Sequence, residues 1–301
     1  MPHNTAPQTP DKAAQQGLIY ALFAYGIWGL FPLFFKQVSD LPPLEVLAHR
    51  VIWASMFTAL ILTLIRGWKN SVPHLKNPRI WLTLGLSAIL IAVNWGVFIY
   101  AVTDGQVLAS SLGYFLTPII NVLLGTLVLG EKQDKFRKIA MVLAGTGVLW
   151  QIIALGELPW ISLVLACSFG VYGLIRKQAP VDTLSGLLIE TLVLCPVALI
   201  YWFWLVDSGQ DHFISSSSDA GRMIAMGVLT SLPLLAFAAA AQRLSLTVIG
   251  FLTYLAPTGH FLLAVFLYEE PFGIHQLISF ALIWCALLVF SGSALFARKP
   301  R

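Results

Sequence analysis

Ten continuous apolar runs divide nearly the whole chain: roughly residues 17–36, 43–65, 80–102, 107–129, 136–155, 159–176, 184–206, 221–241, 246–268 and 274–296. A bilayer core takes about 20 helical residues to cross, and without water it forces backbone N–H and C=O groups to pair inside each segment. The runs do not alternate as barrel strands would. The expected fold class is therefore an all-α integral membrane protein with ten transmembrane helices. A chain of 301 residues that is 58% hydrophobic and 11% charged has too little interior to hide its apolar side chains in a water-soluble fold. The longest connections, residues 66–79 and 207–220, leave no room for a soluble domain. Residues 1–16 read as a disordered cytoplasmic leader and 298–301 as a cytoplasmic tail. Cys167, Cys195 and Cys285 lie within apolar runs, without CxxC spacing, and read as small hydrophobes.

Charge sets the orientation. With ten spans, one side receives fifteen Lys and Arg residues, the other only Lys36 and Arg222, and Arg50 stays inside a span. The positive-inside rule places the fifteen, and both termini, in the cytoplasm. The formal charge of +4 is thus spread over short loops as a topological signal, with no folded basic surface for nucleic acid.

Two stretches look like one helix written twice. Residues 110–131 read SSLGYFLTPIINVLLGTLVLGE and residues 249–270 read IGFLTYLAPTGHFLLAVFLYEE. Pro118 and Glu131 are thirteen apart, as are Pro257 and Glu270. Gly26, Trp28 and Gly29 are echoed by Gly170, Tyr172 and Gly173. Five spans per half is an odd number, so the second half enters from the opposite face. The expected architecture is two inverted five-helix repeats, 17–155 and 156–297, around a central cavity.

Arg50 is the most anomalous residue. It lies about 10 Å into the second span, where such a charge costs about 2.5–3.5 kcal/mol on insertion scales. It either faces a pathway, or snorkels outward or pairs with Glu45, which also stands one helical turn before His49. Glu190, in the seventh span, aligns with Arg50 across the repeat and is a candidate proton carrier or a packing carboxyl. Asn94, Trp95, Tyr114, Thr117 and Asn121 are polar or amphipathic groups at membrane depth, and Tyr114, Thr117, Pro118 and Asn121 share a helix face. Thr253, Tyr254, Pro257 and His260 form the counterpart. Such groups line a wet cavity or bridge helices. Tyr25 and Trp28 belong to the cavity mouth or to a lipid-facing surface. Pro118 and Pro257 are candidate hinges, each expected to remove a helix hydrogen bond. The glycine pairs read as close-packing positions. A phosphate loop, a HExxH, a nucleophile elbow and a metal-ligand cluster are all missing from the sequence, so no cofactor is expected and transport would run on a gradient.

The blocks GIWGLFPLFFK (26–36), EVLAHRVIW (45–53), NWGVFIYAV (94–102), SLGYFLTPIINVLLG (111–125), FGVYGLIRK (169–177) and LLIET (187–191) resemble the RarD branch of the EamA-type drug/metabolite transporters, over nearly all of residues 17–297. The resemblance implies two EamA repeats, a multi-pass protein of the bacterial inner (plasma) membrane, and movement of small metabolites or drugs. It also implies pathway roles for Arg50, Asn94, Trp95 and Tyr114. The full candidate pathway is Tyr25, Trp28, His49, Arg50, Asn94, Trp95, Tyr114, Asn121, Glu190, Tyr254 and His260. The expected function is secondary transport of a small amphipathic organic substrate by alternating access, in contact with membrane lipids and with a proton as candidate coupling ion. The rivals are a lipid-carrier flippase and a membrane-embedded transferase using Glu45 and His49. The latter lacks a second cluster for an activated donor, so a non-enzyme is expected.

Overall fold

The computed structural model describes residues 10–130, 133–241, 243–244 and 252–296, and among these every regular element is helical. Glu131, one member of the proline–glutamate repeat, lies outside the described residues, as do most of the leader and the tail. Helices α1 (Pro10–Gly29) and α2 (Phe31–Lys36) share the first apolar run; α3 is Pro43–Leu64, α4 Trp68–Leu75, α5 Pro78–Thr103, α6 Val107–Leu129 and α7 Lys135–Leu155. They are followed by α8 (Trp160–Gln178), α9 (Thr183–Asp207), α10 (Ser217–Ala241), α11 (Leu255–Leu262), a π-helical turn at Leu263–Leu267, and α12 (Ile274–Phe296). Seven helices are long and apolar enough to cross a membrane; Trp160–Arg176, Leu255–Leu267 and Ile274–Phe290 are shorter apolar helices.

Local chemistry sets the boundaries. Asp134 and Asp182 cap α7 and α9 through their carboxylates, and Asn77 caps α5. Helices α6 and α7 stop at Gly130 and Gly156, whose φ values of 66° and 70° suit glycine. The first run breaks at Leu30 because of Pro32. A proline has no N–H to give the carbonyl four residues back, here that of Trp28, and its ring crowds that oxygen.

Helix α7 packs on α12, α6 on α8, α3 on α9 and α10, α1 on α10, α5 on α8 and α9, and α11 on α6 and α1. The largest core cluster joins Phe31, Phe35, Phe98, Leu112, Phe115, Ile161 and Phe280 from five helices. Leu82, Leu127, Val142, Ile153, Ile200 and Leu288 are all about 70–80% exposed, an outward apolar face that only lipid would cover without cost. Of the small-residue positions, Gly29 and Gly170 are close-packing sites: a Cβ on Gly259 would lie 2.8 Å from the Gly29 Cα, and one on Gly170 would lie 2.7 Å from Ile120. Gly26 and Gly173 have open space, so half of that packing expectation fails.

Candidate functional site

Helix α3 begins at Pro43, and its turn period places Glu45 and His49 on one face and Arg50 on the next. Arg50 points into the junction of α2, α5 and α10 and is 3% exposed. Its Nε donates to Thr230 Oγ1 of α10 at 2.8 Å. The guanidinium lies 4.2 Å from the Trp95 ring centre, 5.0 Å from Phe35 and 5.8 Å from Phe31. Its Nη1 has no hydrogen-bond partner, and among the described residues no carboxylate lies at ion-pair distance. Snorkelling and pairing with Glu45 are both overturned. The side chain does not reach solvent, and the Glu45 carboxylate instead accepts from the backbone N–H of His212 at 2.9 Å and meets His212 Nδ1 at 2.8 Å. Aromatic faces attract a cation, but they leave its hydrogen-bonding capacity unused.

Next to this cage runs a polar chain. Asn94 donates to Leu165 O and Ser168 Oγ of α8, each at 3.0 Å, and accepts from Tyr114 OH at 3.2 Å. Its groups are committed to bridging α5, α6 and α8. The Tyr114 ring meets His260 edge-on at 5.6 Å. His260 Nε2 lies 2.8 Å from Trp28 O and must donate to it, since a carbonyl can only accept. That oxygen is the one Pro32 leaves without a helical N–H, so His260 repairs the break in the first run. Tyr25 is 4% exposed and not lipid-facing, and its hydroxyl bonds Thr253 Oγ1 at 2.9 Å. Trp28 packs on Tyr25 and Phe237, and Tyr254 lies half-buried against the main core.

Three candidates stand elsewhere. Asn121 is exposed, and its Oδ1 borders Gly170 of α8, two turns from Tyr114 along α6, so it is not part of the cluster. Glu190 lies towards the opposite end from Glu45, 1% exposed. It accepts from Ser87 Oγ at 2.5 Å and Tyr172 OH at 3.4 Å, and pairs with Arg176 Nε at 3.6 Å. His49 is buried, stacked on Phe213 at 4.4 Å and edge-on to Trp202 at 5.2 Å, with both ring nitrogens unpartnered.

The two prolines are not equivalent. Pro118 interrupts the continuous α6, whereas Pro257 falls in the first turn of α11, where no intrahelical bond is lost. The Pro257 carbonyl instead accepts from Ser111 Oγ of α6 at 2.8 Å. Glu270 has a role that its repeat position did not indicate: its two carboxylate oxygens accept from Val107 N and Leu108 N, each at 2.7 Å, capping α6. Two clefts open at helix ends, one of about 560 Å³ beside Asp211 and His212 and one of about 220 Å³ beside Glu270.

Residues 15–153 and 158–292 each match the EamA-like transporter family. The chain belongs to that family. It is 43% identical to "Protein RarD" of Salmonella typhi over 96% of this chain and 99% of that one, which places it in the RarD branch. It is 40% identical to an "Uncharacterized transporter" of Vibrio cholerae, over 96% of each chain. A solved crystal structure of 19% sequence identity superposes with a TM-score of 0.60, over 95% of this chain and 99% of that one, a likeness of fold alone. This EamA-family chain is thus a multi-pass membrane protein, and some of its relatives carry the name of transporter. Thr230, Arg176 and His212, which hold Arg50, Glu190 and Glu45, were not legible as site residues, because each lies in a different helix or loop from the residue it holds.

Proposed function

We propose that this EamA-family chain is a gradient-driven secondary transporter of small amphipathic organic anions or zwitterions in the bacterial inner membrane, working by alternating access. The observation that carries the reading is Arg50: a buried guanidinium in an aromatic cage, with no partner for Nη1 and no carboxylate at ion-pair distance among the described residues. A substrate carboxylate would supply the missing charge and acceptor, and Trp95, Phe35 and Phe31 would contact its apolar body.

The proposed scaffold is ten spans in two inverted five-helix repeats, with both termini cytoplasmic. Helix pairing supports it. Counting α1 and α2 as one span and setting α4 aside, the packed pairs α3–α9, α6–α11 and α7–α12 each join equivalent helices, as a two-fold axis requires. The two family matches fall on the two halves. At one end the Glu45–His212 pair and the Glu270 cap, and at the other the Glu190–Arg176 pair and the Ser71–Ser185 bond at 2.7 Å, are groups that would separate in turn as the cavity opens. Glu190 is the proposed proton carrier.

The test is substrate binding to purified Arg50→Lys beside the parent, scored with thermal stability. Lysine keeps the charge but cannot make a bidentate grip on a carboxylate. The expected result is a folded variant with at least tenfold weaker binding of an anionic or zwitterionic substrate. Unchanged affinity would remove the clamp, and lost stability with unchanged binding would make Arg50 a packing residue.

A further inference from the structure

Residues 208–216 fold back over the start of α3 and set Asp211 and His212 against Glu45 and His49, a juxtaposition that no sequence spacing announces. One ligand atom each from Glu45, His49 and Asp211 lies within 4.8 Å of the others. An acidic cluster alone is no site, but here it surrounds an imidazole that is 1% exposed and has neither ring nitrogen hydrogen-bonded. Phe213, stacked at 4.4 Å, and Trp202 hold that ring in place without using its nitrogens.

The two carboxylates are oriented by N–H donors. Those of His212 address both oxygens of Glu45, and Trp202 Nε1 reaches Asp211 Oδ1 at 2.8 Å. The backbone N–H of Ile214 reaches Asp211 Oδ2 at 2.6 Å. Each oxygen keeps a further lone pair, and such donors are the outer contacts that orient metal-binding carboxylates. The cleft of about 560 Å³ lined by Pro42, Tyr201, Asp211 and His212 gives access from the helix ends to Asp211, the cluster member on its wall.

We propose that Glu45, His49 and Asp211 bind one first-row divalent cation of the zinc class. Two carboxylates and a neutral imidazole balance a charge of +2, and the nitrogen ligand disfavours Ca²⁺ and Mg²⁺, which take all-oxygen shells. His212 keeps its Nδ1–H on Glu45, and water from the cleft fills the fourth position. A tetrahedron with bonds of about 2.1 Å has edges of about 3.4 Å, so ligand atoms now within 4.8 Å of one another close by up to about 1.4 Å on binding. The ion ties the start of α3 to the connection before α10.

The test uses the full chain in detergent, stripped with EDTA, then titrated with Zn²⁺ by calorimetry and with Co²⁺ by visible absorption. One equivalent of Zn²⁺ and tetrahedral Co²⁺ bands are expected. Binding should weaken at least tenfold in His49→Gln and in Asp211→Asn, and stay at the parent's level in His275→Ala and in excess Ca²⁺. Should His49→Gln fail to fold, Asp211→Asn, in the loop, decides alone. Parental affinity in both site variants, or loss in His275→Ala, would overturn the proposal. So would a pH-dependent stability that the site variants abolish with no Zn²⁺ uptake, which would make the cluster a proton site.

Discussion

A charge buried by a helix ordinarily comes with its counter-charge, and the two halves of this chain differ on that point. Glu190 has Arg176, Ser87 and Tyr172 around it. Arg50, its partner in the repeat alignment, has Thr230 and three aromatic rings, and one nitrogen with no partner among the described residues. The depth of Arg50 was legible from counting along α3. Its surroundings were not, because Thr230 and Phe35 come from other helices. His260 carries a test of how local repair works in a dry interior. Losing its bond strands the Trp28 carbonyl, which should cost His260→Phe about 1–3 kcal/mol of stability. Pro32→Ala returns an N–H to the same carbonyl, so the cost should shrink in the Pro32→Ala background. A double-mutant cycle by thermal unfolding reads this directly, and strictly additive costs would break the link between the two residues. Pro32 was the available signal: a proline within an apolar run frees the oxygen four residues earlier, and a histidine elsewhere can take it.

Among the elements, helix ends decide more than helix middles. Most boundaries were readable from run length, and the structure adds the local signals that set them, Asn or Asp caps and terminal glycines. The break between α1 and α2 was overlooked because Pro32 lies inside an unbroken apolar run, and hydropathy does not register a missing N–H. Pro257 was read as a mid-helix proline for the same reason: the apolar run continues before it, while α11 starts at Leu255. The cap on α6 came from a loop of the other half. Glu270→Gln would set an amide NH₂ against one of the two backbone N–H donors, and should cost about 1–3 kcal/mol near neutral pH. Burial raises the Glu270 carboxyl above its ordinary value of 4.5, against the pull of Leu108 N, Val107 N and Lys36. A folded-state pKa above the unfolded one means that the folded protein holds the extra proton in that window. The parent's stability should therefore fall as pH rises through it, and the glutamine variant should lose that slope. Parallel pH profiles for the two proteins would show that the carboxyl does not titrate in this setting.

For the whole molecule, hydropathy alone gave the helical membrane class, because continuous apolar length has few alternative solutions. Orientation rests on charge. On the proposed ten-span topology, which puts fifteen basic residues on one side and two on the other, a cysteine at Lys299 should resist an impermeant thiol reagent in intact cells and react after permeabilisation. Cys167, Cys195 and Cys285 must be replaced first. Labelling from outside would reverse the topology. Tertiary contacts were the least legible level, as the clefts at the helix ends are built by residues 208–216 and by the turn after the π-helical segment. In sequence, both read only as connections.

The carboxylate of Glu270 on the first turn of α6 also bears on whether half of this protein could exist alone. A five-helix polypeptide ending near residue 155 would carry α6 with two bare N–H groups where the full chain places a borrowed anion. Hydrophobic length would still insert it into a bilayer, yet its fourth crossing would be unfinished until a second polypeptide supplied an acid at the same height. Through this cap, the half matched at residues 15–153 draws on an acid that the half matched at 158–292 supplies. A break introduced between them should be tolerated only when both pieces are made together.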